Sequence, residues 1–213
     1  MVLPIFAAFS AIIPIATFSF QFKKLNRHLK YFALYLIFVA VVEFLILILA
    51  LNKMHNVLLL NFFSITEGIL LLVFIRMLLV DQRLKNIMSV FITTYLLYWL
   101  YTIAFKITIF QFNSSEQFIK GIFIIIGSGL LLIQISRISE LSLLQNYLFW
   151  LISAILIYFS LTLIVFYTAT IVLDNQKTAM ILVWKINSIA TIIANLLFSF
   201  SFICYYRKRS LYI

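Results

Sequence analysis

Residues 31–52 read YFALYLIFVAVVEFLILILALN, an apolar run interrupted by one charge, Glu43, near its middle. A helix rises ~1.5 Å per residue, so about 20 apolar residues cross the hydrocarbon core of a bilayer. This run is long enough, and it has no proline or glycine to break it. A transmembrane barrel strand would be about half as long and would alternate with period two. The run therefore predicts a spanning helix, which satisfies its own backbone groups where no water can.

Working outward from this run, the same pattern recurs. Seven apolar spans are expected, over about 1–22, 31–52, 57–80, 87–105, 121–136, 147–173 and 179–205. The fifth is short and contains Gly127, Ser128 and Gly129, so its helix is expected to begin earlier, near Gln117. Pro4 suits a helix start, and Pro14 is expected to kink the first span. That span has no basic residues ahead of it and no small-residue cleavage pattern after it, so it does not read as a cleaved signal peptide.

Composition agrees. Of 213 residues, 65% are hydrophobic and 10% charged, against roughly 45–50% and 25% in soluble domains. So few charges cannot cover a water-soluble globule. A cytosolic enzyme, a secreted disulfide scaffold and a disordered regulator are excluded. The expected fold class is all-α, a polytopic bundle of seven transmembrane helices forming a single domain over 1–213. The single cysteine, Cys204, allows no internal disulfide.

The net charge of +10 reads as an orientation signal, with no nucleic-acid partner expected. Lys23, Lys24, Arg27, Lys30, Arg76, Arg83, Lys85, Arg137, Arg207, Lys208 and Arg209 fall on one side, eleven in all. Lys53, Lys106, Lys120 and Lys177, four in all, fall on the other. The excess marks the cytoplasmic side. The N-terminus is then expected outside and the C-terminus in the cytoplasm, and seven spans require opposite ends.

Ionisable residues within a membrane are functional candidates. The reading finds Glu43 in the second span, Glu67 in the third and Lys185 in the seventh. Helical spacing puts Lys185, Ser188, Thr191, Asn195 and Ser199 on one face. Asn61, Ser64, Glu67 and Gly68 share another. The candidate site is Glu67, Lys185, Asn61, Ser64, Ser188, Thr191, Asn195 and Glu43, built around Glu67, Lys185 and the Asn/Ser stripe. These residues suit a bound polar ligand, a proton relay or a paired-to-unpaired switch; equally, they suit interhelical contacts worth ~0.6 kcal/mol each. Tyr95, Tyr98, Trp99 and Tyr101 read as part of an interfacial aromatic belt, with Trp150 and Trp184. No cofactor or metal is expected, since His28 and His55 fall on opposite faces. No span holds the histidine that a serine intramembrane protease needs. A retinal-protein reading of Lys185 fails, because Ile181 stands where an aspartate is required.

Three stretches carry a resemblance. They are Asn61 to Leu72 with Thr66 and Glu67, Phe149 to Ser160, and Val183-Trp184-Lys185-Ile186-Asn187 leading to Asn195. In order and spacing the chain resembles a group of uncharacterised seven-helix integral membrane proteins common in Bacteroidota. Here Asn187 replaces a histidine common in that group, and Lys120 stands where an acidic residue often opens the fifth span. The resemblance implies a bacterial inner (cytoplasmic) membrane. The expected function is a non-enzymatic sensory or accessory subunit. Its partners would be the lipid bilayer and a membrane-bound signalling protein. The alternative is a small proton-coupled transporter or permease using Glu67. A lipid-modifying enzyme is the weakest reading, as no acid-based dyad is visible.

Overall fold

A computed structural model of the chain describes residues 2–105, 114–138, 143–172 and 177–210. The described residues are helical almost throughout. The helices are α1 (Val2–Ser10), α2 (Ile12–Ser19), α3 (Arg27–Leu51), α4 (Val57–Leu78), α5 (Gln82–Phe105), α6 (Ser114–Ile138), α7 (Tyr147–Val172) and α8 (Lys177–Ser210). Six of them are long and apolar enough to cross a membrane. A seventh apolar stretch, Leu3–Ser19, is shorter and is formed by α1 and α2 together.

The break in that stretch falls at Ala11, where the backbone N–H reaches back to the Ala8 carbonyl at 3.3 Å. The kink expected at Pro14 thus appears just before it. Proline has no donor for the carbonyl of Ser10, and its ring crowds that turn. The Ser10 and Thr17 hydroxyls donate to the carbonyls of Ala7 and Pro14.

Helix starts follow from side chains that accept free backbone donors. The Asn26 side chain accepts from Leu29 N at 2.8 Å and opens α3. Asp81 accepts from Arg83 N at 2.8 Å, and Asn146 from Leu148 N at 3.0 Å. The end of α3 is closed by Lys53 at φ 55°, with Met54 N donating to Leu49 O and Lys53 N to Ala50 O. This is a Schellman closure with lysine where glycine is usual.

Helices α3, α4, α6, α7, α8 and the α1–α2 pair pack in a ring, each against the next. Helix α5 stands outside it, against α4 and α6. The core is mainly aromatic and aliphatic, with Phe18, Phe32, Phe74, Phe202, Leu72 and Ile75 fully buried. Phe32 packs against Phe74 and Phe198 at centroid distances of 5.0 Å. Exposed apolar side chains run along the outer faces, as at Leu34, Val41 and Leu45 of α3 and Val90, Leu97 and Leu100 of α5. A continuous apolar exterior of this extent suits a lipid surround.

The fifth expected span differs most. Its helix starts at Ser114, so Lys120 lies inside α6 and is 3% exposed. Lys120 is therefore not a loop residue, and its place on the basic-residue ledger of the outer loops is corrected. Lys106 lies outside the described residues, as does the side chain of Trp184.

Candidate functional site

The polar centre forms where α4, α5 and α6 meet. Lys120 Nζ donates to Glu67 Oε2 at 2.7 Å and to Ser64 Oγ at 3.0 Å. Ser64 Oγ in turn donates to the Glu116 carboxylate, 2.8 and 3.0 Å from its two oxygens. The Tyr95 hydroxyl donates to the same carboxylate and lies 3.2 Å from the Ser64 carbonyl. Tyr35 places its hydroxyl 3.5 Å from Glu67 Oε1. Ser64, Glu67, Tyr95, Glu116 and Lys120 are all buried.

Sequence spacing explains how one helix supplies two of these groups. Glu116 and Lys120 are four residues apart and so share a face of α6. Ser64 and Glu67, three apart, share a face of α4 for the same reason. Gly68 makes the approach possible. A Cβ there would stand 2.7 Å from Tyr95 Cε1 and 3.0 Å from Lys120 Cδ.

Burying an ion pair is costly, and the mutual attraction repays the cost only when the remaining donors and acceptors are satisfied. Lys120 meets this with two acceptors and with the Phe159 ring, 5.9 Å from Nζ. One ammonium here serves two carboxyls, those of Glu67 and Glu116.

A cavity of about 410 Å³ opens above this centre. Glu43, Glu67 and Lys120 line it, together with Asn187, Ser188 and Thr191 of α8. Helix α1 contributes Pro4, Ala7 and Ala8, and α7 contributes Tyr158, Phe159 and Thr162. A second cavity of about 40 Å³ shares Glu43, Glu67 and Thr191 and extends to Tyr35, Leu71, Asn195 and Phe198.

The sequence candidates thus divide. Glu43, Glu67, Ser188 and Thr191 come together around one cavity, and Asn195 joins them through the smaller one. Asn195 also donates to Ser10 Oγ at 2.8 Å, tying α8 to α1. Ser64 belongs to the ion-pair network. Asn61 is buried on α4 but lines neither cavity. Lys185 is exposed at the head of the α8 stripe. The ammonium that meets Glu67 is that of Lys120, and Lys185 takes no place at the cavity.

Sequence reasoning missed Lys120, Glu116 and the role of Tyr95, which is fully buried in the network instead of sitting in an interfacial belt. A signal was present. The run Ser114-Ser115-Glu116-Gln117 has the residues of a helix start. Read so, it would have placed Glu116 and Lys120 on one face inside a span. Among the described residues, no group of three or more His, Cys, Asp and Glu side chains could hold a metal ion.

No family model matches the chain, and no curated protein or solved structure matches it either.

Proposed function

We propose that this chain is a multi-pass protein of a bacterial inner membrane that receives a small solute within its bundle. In this reading it acts as a non-enzymatic sensory or accessory subunit beside a membrane partner. The observation that carries the reading is the cavity of about 410 Å³ lined by Glu43, Glu67 and Lys120. That volume falls in the range of small-ligand sites, ~300–1,000 Å³. Ionisable groups at such depth are costly without a task.

Orientation follows in the same reading. The cavity is built from the C-terminal half of α3 and the N-terminal halves of α4, α6 and α8. Its mouth therefore faces the end of the bundle that holds Lys53, the side to which the sequence assigns the fewer basic residues. By the positive-inside rule this is the outer side, with the N-terminus outside and the C-terminus in the cytoplasm.

The test is purification from native membranes in mild detergent, followed by mass spectrometry. A stoichiometric kinase or regulator is the expected companion. A partner-free protein that moves solute in liposomes would sink the sensory reading. It would favour the second one, a small proton-coupled transporter. One observation supports that alternative: the smaller cavity continues past Glu43 and Glu67 towards Tyr35 and Phe198. Transport would then depend on Glu67, and Glu67→Gln would abolish its proton coupling.

A further inference from the structure

Three carboxyls meet one ammonium in the centre of this bundle. Lys120 is shared between Glu67, its ion-pair partner, and Glu116, bridged through Ser64. Glu43 reaches the same cavity from α3 and takes no part in that pair. Among the described residues, the other ionisable side chain on the cavity wall is the Tyr158 phenol, so the described lining has a surplus of acceptors and no second cation.

Two amide side chains add to that surplus. Asn187 lines the cavity, and its Oδ1 is buried with no hydrogen-bond partner among the described residues. Gln117 also lines it, offers a second amide oxygen and is 7% exposed. Buried polar groups are rarely left unpaired, so each such group needs an explanation. A ligand that brings donors supplies one.

The rest of the wall is apolar. Pro4, Ala7, Leu47, Leu60 and Phe63 line the same space. A bare metal ion does not fit that wall, and the described residues offer no metal-ligand cluster. Phe159 already stands near Lys120 Nζ, and ring faces attract a desolvated cation.

We infer that the cavity binds an organic cation, an amine with an apolar body, whose ammonium group sits on Glu43 and donates to the amide oxygens of Asn187 and Gln117. This rests on the reading of the bundle as a solute-receiving site. The apolar body would lie along α1 and the upper half of α4. Lys120 keeps Glu67 and Glu116 occupied, which leaves Glu43 as the open position. An anion would meet the Glu43 carboxyl with no cation to offset it, and a carboxylate on Glu43 would repel it most strongly where water is excluded.

The experiment is thermal unfolding of the full-length protein in mild detergent with three probes of one shape: phenethylamine, phenethyl alcohol and phenylacetate. Short alkylamines and sodium ion are run alongside. Amines should raise the unfolding temperature saturably, and the alcohol and the carboxylate should not. Glu43→Gln should weaken amine binding by about tenfold or more, the scale of one lost charge-assisted hydrogen bond. If that variant does not fold, Ala8→Phe fills the cavity without touching a carboxyl and should remove the amine response. Equal response to amine and alcohol overturns the cation assignment but leaves the receiving site standing. Preference for the carboxylate overturns it as well, and makes Lys120 the anchor. Stabilisation by sodium alone overturns the organic class. Silence from every probe overturns both this assignment and the reading it rests on.

Discussion

Glu67 and Lys120 stand 2.7 Å apart with side chains almost wholly buried, so neither can lose its partner cheaply. Removing one member of a buried pair costs ~3–5 kcal/mol, because the other charge stays unpaired. Lys120→Met and Glu67→Gln should each lower the unfolding temperature in detergent. The double variant should be less destabilised than the sum of the two, and additivity would show that the pair is not coupled. Gly68 allows a second test. Gly68→Ala pushes Tyr95 and Lys120 away from α4 and should cost ~1–3 kcal/mol by overpacking. Gly129→Ala meets nothing within 4 Å, so the helix-propensity gain of ~0.8–1 kcal/mol should make it neutral or stabilising. Equal effects in both would contradict the close approach at Gly68. At this scale the sequence was half legible. Glu67, Ser64 and Gly68 could be found because they share a helix face. Lys120 could not, because a lysine near an apparent loop looks like any solvated lysine until its helix start is placed.

Among the elements, α3 ends on a left-handed lysine, Lys53 at φ 55°. A side chain with a Cβ is strained in that region by ~1–2 kcal/mol, and glycine is not. Lys53→Gly should therefore leave the fold intact and hold or raise the unfolding temperature. A clear drop would mean that the lysine makes a compensating interaction. The helices themselves were largely readable from apolar length. The ends were less so. The helix α6 starts at Ser114, seven residues before the apolar run at 121, because Glu116, Gln117 and Lys120 are polar yet are covered by neighbouring helices. A hydropathy pattern sees the side chain and not what covers it. The same holds for the first span, where Pro14 announced a distortion but the chain breaks at Ala11.

For the whole molecule, the proposed orientation makes a direct prediction. On a Cys204→Ser background, Asn52→Cys should react with a membrane-impermeant maleimide on intact cells. Arg83→Cys should react only after permeabilisation. The opposite pattern would invert the bundle and turn the cavity mouth towards the cytoplasm. The basic-residue bias is sharpened by the fold, since Lys120 moves from the sparse outer loops into the ring.

A membrane fold and its spanning segments could be read from residues alone, because transfer into lipid is a sum over local side chains. About 20 apolar residues suffice for each helix. The pairing of charges is of another kind. Glu67 lies three residues from Ser64 in the chain but 53 residues from Lys120, and only the packing of α4 against α6 brings the ammonium to the carboxylate. Lys185 had regular helical spacing with a polar stripe, yet it is exposed at the head of that stripe. Which face of a helix turns inward depends on its neighbours in the ring, and no local pattern carries that information.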